Sequence, residues 1–407
     1  MQKIEKQVGF TLVELMVSLV LGILLTAAVV QSYLSSKQTY RATEGISRIQ
    51  ENARFSLHFL TKELRNAGYS GCIGRIRNKL NGYPNDYIKS TASVTSWDYT
   101  GTNSGDNAFV LSGDSITLPT SANSWSNSTS GISLPSYLTN RVALGSDVLW
   151  FKYFKELDII IKHHEDDFVA ITTKNTHKLE NDSIMLVGDC SDVEMFQYLS
   201  QDNNKQISLS SDKTENSYPG NRREGGTEER WARTYNAEDS LYSFVQTFYY
   251  IGEGASGLPS LFRYSTGQPK GAITAADIGS HEEELVEGVE TMQLLFGQDT
   301  NDEGNPTRYV SGNQITSWEN VISVRIGLLI RSPNNTTDND QIDNYTLLDS
   351  IDFTHPEDDK ILRYGVNTTV KLRNLGFGKN FGHFVCDSIG EDKNDDNGIP
   401  TCVDSYN

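Results

Sequence analysis

The chain has 407 residues, 37% hydrophobic and 10% aromatic, which is room for two or three domains with sizeable cores and rules out a disordered tail. Its formal net charge of −18 argues against nucleic-acid binding, which needs basic surface to neutralise phosphate. Four cysteines without a C-x-x-C pair suit an oxidising compartment and argue against a zinc ribbon or a thioredoxin-like site.

The first element is a charged leader, residues 1–9, that runs into an apolar segment from Phe10 to Val30 broken by one charge, Glu14. Twenty-one residues suffice to cross the ~30 Å hydrocarbon core. Lys3 and Lys6 on its N-terminal side favour a cytoplasmic leader, with the bulk of the chain outside the inner membrane. No A-x-A cleavage site follows Val30, whereas a small residue, Gly9, precedes the apolar run. Processing at Gly9 would therefore leave the apolar helix on the mature protein. A lone carboxylate near the end of such a helix either meets headgroups or pairs with a partner's positive charge. In a low dielectric the second arrangement would fix the axial register between packed helices, and it is the expectation for Glu14.

The helical period continues through Ile46, Ile49, Ala53, Leu57, Leu60 and Leu64, with Glu44 and Arg48 paired on another face. Asn66-Ala67-Gly68 supplies the stop. One helix over 10–68, roughly 85 Å long, is predicted, apolar all round at first and amphipathic afterwards. From Gly68 on, short β-like runs alternate with polar loops. Strands are expected at Ala108–Leu111, Ser115–Leu118, Asp147–Tyr153, Leu157–Lys162, Phe168–Thr173 and Ser183–Val187. Others follow at Val193–Leu199, Leu241–Ile251, Ser260–Tyr264, Thr291–Phe296, Val321–Arg331 and Asn367–Arg373. Ser/Asn/Gly-rich loops are expected at Ser121–Asn140, Gln201–Arg230 and Ser332–Asn344. The second could divide the globular part, residues 69–375, into two lobes or be an excursion within one sheet. Trp97, Trp125, Tyr137 and Trp231 near these loops are either partner-contact surfaces or loop anchors.

Cys72, Cys190, Cys386 and Cys402 read as two disulfides, for which three pairings exist. Residues 376–407 form an acidic extension; a Cys386–Cys402 bridge there would stabilise by ~3 kcal/mol. Within it, Asp392-x-Asn394-x-Asp396 matches half of a calcium loop, although Asn397 takes the glycine position. Calcium is thus a candidate ligand beside the alternative of a solvated acidic turn. His163-His164-Glu165-Asp166-Asp167 has transition-metal ligand types, but adjacent residues on a turn diverge, so a polar turn is favoured. No G-x-S-x-G, H-E-x-x-H or G-x-x-x-x-G-K-[ST] occurs, so no catalytic residue is assigned and an enzyme is not expected.

Gly9-Phe10-Thr11-Leu12-Val13-Glu14-Leu15-Met16-Val17 resembles the type III signal of type IV prepilins and type II secretion pseudopilins. The resemblance implies cleavage after Gly9 by a prepilin peptidase, N-methylation of Phe10, and an assembly role for Glu14. Ser35–Tyr40, Gln50-Glu51-Asn52-Ala53-Arg54-Phe55 and Glu63–Cys72 resemble the PilW family of minor pilins. So do Asp189-Cys190 leading into Phe196-Gln197, Glu284-Leu285-Val286-Glu287-Gly288-Val289, and Thr368–Asn374. The resemblance implies an α+β, type IV pilin-like fold with a long N-terminal helix packed on a large antiparallel β-rich domain. It implies a Cys72–Cys190 bridge, and partners among other minor pilins and the major pilin. The implied role is priming of type IV pilus assembly in a tip complex, with a PilC/PilY-type tip adhesin. The implied location is the inner membrane, with the C-terminal domain periplasmic, and then the extracellular pilus. The alternatives are a type II secretion pseudopilin of the J type and an adhesive pilus subunit. The chain departs from the family pattern in running about 30 residues beyond Asn374.

Overall fold

The computed structural model describes residues 11–71, 75–80, 93–113, 116–128, 133–164, 170–198, 205–209, 220–221, 231–267, 281–335, 344–357, 359–374 and 385–386. A single helix, α1 (Leu12–Leu64), opens the chain; its 53 residues span about 80 Å. Thr11 caps its start, and Gly68, at φ +73°, closes the turn behind it.

The strands follow in chain order. They begin with β1 (Arg75–Asn78), β2 (Val94–Tyr99), β3 (Phe109–Val110), β4 (Trp125–Ser126), β5 (Val148–Leu157), β6 (Ile161–His164) and β7 (Ala170–Thr173). Next are β8 (Ile184–Gly188), β9 (Asp192–Gln197), β10 (Gln206–Ser208), β11 (Ser240–Glu253), β12 (Pro259–Thr266), β13 (Glu282–Glu287) and β14 (Val289–Gln298). The last are β15 (Arg308–Val310), β16 (Val321–Asn335), β17 (Tyr345–Leu347), β18 (Ile351–Thr354), β19 (Ile361–Lys371) and β20 (Val385–Cys386).

The main sheet runs β20-β1-β9-β8-β11-β5-β2-β4, with β12 added to β11 and β13 to β12. Strand β11 organises it. Its first residues pair with β8 and its last eight with β12, while β5 lies along the other edge. Strands β8 and β9 come before residues 201–230 and β11 comes after, so this sheet continues across that segment. A second sheet has the order β15-β14-β16-β19, and two small sheets are β10-β7-β6 and β17-β18-β3. Pairing is antiparallel except at β1–β20, β1–β9 and β3–β18. The molecule is thus a long helix on a large antiparallel β-rich domain, the α+β pilin-like architecture expected from the sequence.

The main core lies where three layers meet. Ile49, Ala53, Leu60 and Leu64 of α1 pack with Phe151, Tyr249 and Ile251 of the main sheet and with Met292, Ile326 and Ile330 of the second sheet. Residues alternate across a strand, so Phe248 and Tyr250 face the other way. There they join Trp97, Trp125, Trp150 and Tyr264 in a separate aromatic cluster.

Several sequence expectations shift. The buried face of α1 is Gly45, Ile49, Ala53, Ser56, Leu60 and Leu64, and Ile46 is 45% exposed. Position 45 is a buried glycine, which has no apolar side chain for a helical period to register. The runs expected at 147–153 and 157–162 divide differently, since β5 continues to Leu157 and β6 starts at Ile161. Residues 116–118 form no strand. β13 was missed because its Glu-rich sequence lacks alternation. Trp97, Trp125 and Trp231 are buried, at most 6% exposed, so these side chains anchor the core and offer no partner surface; Tyr137 is half-buried.

Candidate functional site

Two regions of α1 carry the functional arrangement, and they differ in what surrounds them. From Leu12 to Val30 the large apolar side chains are 50–76% exposed, and none of the described residues covers them. This is the one helix among the described residues long and apolar enough to cross a membrane. Its few hydroxyls are satisfied internally. Ser18 Oγ donates to the Glu14 carbonyl at 2.7 Å, and Thr26 Oγ1 to the Gly22 carbonyl at 2.8 Å. Such bonds to the preceding turn allow polar side chains in hydrocarbon without an unmet donor.

Glu14 sits in a capping box. The Thr11 N–H and Oγ1 both donate to Glu14 Oε2 at 3.0 Å, and the Glu14 N–H returns a bond to Thr11 Oγ1 at 3.3 Å. The carboxylate therefore has a local partner in the single chain, at the N-terminal end of the helix, where the dipole also favours a negative charge. Gly9 and Phe10 lie outside the described residues.

The second region is the joint between α1 and the β-domain, where segments far apart in sequence converge. Asn52 Nδ2 donates to the Glu287 carbonyl at 2.8 Å, at the turn joining β13 to β14. That turn needs Gly288, at φ +81°, because a Cβ there would come within 2.9 Å of the Arg331 carbonyl. Arg263 of β12 bridges Glu63 of the helix and Glu283 of β13. At the helix end, Asn374 Nδ2 donates to the Arg65 carbonyl at 3.2 Å, and the Gly68 N–H donates to the Lys152 carbonyl at 2.8 Å. Carbonyls left open at a helix C-terminus need such donors. A Cβ at Gly68 would collide with the Asn374 carbonyl and Ser93 Oγ. Members of four of the runs singled out in the sequence thus meet along this joint: Asn52, then Glu63, Arg65 and Gly68, then Glu287, and Asn374. Sequence reading identified the runs but not their meeting place, nor the part Arg263 plays.

Away from the helix, Cys190 is disulfide-bonded at the tip of the β8–β9 hairpin. Next to it Asp189 accepts Ser191 Oγ–H at 2.6 Å, Ser191 N–H at 2.8 Å and Asp192 N–H at 3.0 Å; these bonds lower its pKa to about 2. Arg77 of β1 holds Asp192 through Nε and Nη2, both at 2.9 Å from Oδ2. Cys72 and Cys402 lie outside the described residues, as do Asp392, Asn394 and Asp396. Cys386 is placed only by its backbone, in β20 opposite Arg77. His163 and His164 end β6, and Glu165, Asp166 and Asp167 fall outside the description. Among the described residues no group of three or more His, Cys, Asp or Glu could hold a metal ion.

Sequence reading also missed a buried carboxylate pair. Asp147 accepts N–H bonds from Tyr99 and Leu294, each at 2.9 Å, linking β2 and β14 to the start of β5. Asp98 accepts from the Asn313 N–H and from Ser96 Oγ. Burial raises both pKa values, Asp98 to about 6, and the Asp98 charge raises Asp147 further. A second buried cluster sets Arg363 between Glu290 and Asp359. The Asp98–Asp147 pair lines none of the described pockets, and Glu290 borders only a narrow one of about 20 Å³ beside Arg331, so both groups act as internal ties between sheets.

Residues 248–374 match the family model described as Type IV Pilus-assembly protein W, and residues 6–30 match the prokaryotic N-terminal methylation motif. The first match spans the end of β11, the whole second sheet and, of the joint, Arg263, Glu283, Glu287 and Asn374. No curated protein and no solved structure matches the chain.

Proposed function

From the premise that this chain is a type IV pilin of the PilW family, a minor pilin of the type IV pilus, we propose that it primes filament assembly within a tip complex and presents a tip adhesin. The observation that carries this reading is the apolar half of α1, whose large side chains are 50–76% exposed in the single chain while the described β-domain packs on the other half. Exposed apolar surface on this scale requires a cover. Before assembly the inner membrane supplies it, with the β-domain in the periplasm; afterwards the helices of neighbouring pilins do. As a type IV pilin the chain interacts with other pilins and with the prepilin peptidase, which cuts after Gly9 and methylates Phe10.

In the filament, Glu14 leaves its Thr11 cap to meet the positive terminus of a neighbour. The exchange replaces one satisfied carboxylate environment by another, so register is gained without leaving a buried charge unpaired. A β-domain of this breadth on one helix suits a filament end, where fewer neighbours crowd it. Cys190 pairs with Cys72 in this reading. In the parallel β1–β9 register Arg75 lies opposite Asp192, and the two cysteines precede those residues by three and two positions.

Gold labelling of an epitope-tagged chain on sheared pili tests the proposal. Label at filament ends, with few or no pili in a strain lacking the chain, is expected. Label spread along the shaft, or normal piliation without the chain, refutes the tip-priming role.

A further inference from the structure

On the face of β11 turned away from α1 there is a cavity of about 480 Å³, which the helix joint does not use. Its floor is a cross-strand aromatic pair: Tyr250 of β11 lies opposite Phe262 of β12, ring centroids 5.6 Å apart and 12° from parallel. One wall is an ion pair, Arg141 Nη1 to Glu282 Oε2 at 2.5 Å, and the Tyr250 hydroxyl donates to the other Glu282 oxygen. Burial and the Glu282 charge push the Tyr250 pKa up, so it remains a donor. The half-buried Tyr137 and the exposed Ser136 complete the mouth. Gly252 keeps the wall close, since a Cβ there would sit 2.8 Å from the Arg141 carbonyl and 3.1 Å from the Phe262 ring.

The charge arrangement narrows what can bind. An anion is disfavoured, because the Arg141 charge is matched by Glu282, Glu253 adds a negative charge at the rim, and the chain carries −18. A cation is disfavoured as well, because the Arg141 guanidinium already neutralises Glu282 and would repel a second positive charge beside it. A purely apolar molecule would strip water from the guanidinium, whose side chain is 39% exposed, and return no hydrogen bond. What fits is a neutral ring with a C–H face for Phe262 and Tyr137 and hydroxyls that donate to carboxylate oxygen and accept from guanidinium N–H. The volume lies within the ~300–1,000 Å³ of small-molecule sites. We propose that this cavity is a binding site for a neutral saccharide of one or two rings. It is independent of the helix and of the tip assignment, and it faces away from the filament-core element.

The test is saturation-transfer NMR on the full-length chain in micelles of lauryldimethylamine oxide, a detergent without a sugar headgroup. The probes are the methyl glycosides of glucose, galactose, mannose and N-acetylglucosamine. At least one should show saturable transfer strongest on the C–H protons of one ring face. Ser136→Trp, an exposed position that would plug the mouth, and Arg141→Ala should each weaken binding by ~10-fold or more. Ser104→Trp, exposed and outside the cavity lining, should leave it unchanged. Absence of transfer from all four glycosides at ~10 mM overturns the proposal. So does transfer that survives Ser136→Trp.

Discussion

Replacing Leu60 by Ala tests whether the amphipathic half of α1 is a structural part of the β-domain. Leu60 is 0% exposed and sits in the core shared by the helix and both large sheets. Truncating a fully buried leucine removes its transfer energy and leaves a cavity, together about 2–5 kcal/mol. For a domain of this size, roughly 2 °C per kcal/mol converts that to a Tm lower by about 4–10 °C. The assay is a thermal melt of the full-length chain in detergent, followed by tryptophan fluorescence. Trp97, Trp125 and Trp150 lie in the aromatic cluster on the other side of the main sheet, so they report domain unfolding and not local fraying. Leu24→Ala is the companion. Leu24 is 60% exposed and lies in the uncovered stretch, so the melt should move by no more than about 0.5 kcal/mol in stability. Equal shifts for the two variants, or an unshifted melt for Leu60→Ala, would refute the division of the helix into a docked half and a free half.

Three further outcomes follow from local geometry. Asp98 has a folded pKa of about 6 against an ordinary 3.8, so the folded state holds an extra proton between those values. The sign is that of a raised carboxyl: its contribution is fully present below pH ~4 and is lost as pH rises through ~6, on the order of 3 kcal/mol. Denaturant titrations across that window should show a steeper fall in stability for wild type than for Asp98→Asn; identical slopes would contradict the buried pair. Gly68→Ala places a Cβ at φ +73° against Asn374 and Ser93 and should cost about 2 kcal/mol or more, read from the denaturant midpoint. Cys190→Ser should cost about 2–5 kcal/mol. Cys72→Ser should match it, with the double variant no worse than either single one; additive losses would place the two cysteines in different bridges.

How much of this was legible depended on the kind of signal. The two-part helix could be read because apolar runs and a 3.6-residue period are local properties, and Gly9, Phe10 and Glu14 stand in one contiguous motif. The helix face was off at position 45, where a buried glycine carries no hydrophobic signal. Strand β13 was hidden because its Glu282, Glu283, Glu284 and Glu287 are edge residues, where charge guards the sheet. Arg263, Asn374 and the Asp98–Asp147 pair were invisible for a different reason. Their roles exist only once segments separated by up to some 300 positions meet, and no period encodes that.

The central claim is that the chain becomes a pilin by losing its leader and keeping its apolar helix. Mass spectrometry of the mature chain from sheared pili tests it most directly. An N-terminal peptide beginning with N-methylated Phe10 is the result expected from the motif at residues 6–30. A pilus-associated chain that still begins at Met1, or one cleaved beyond Val30, would contradict it.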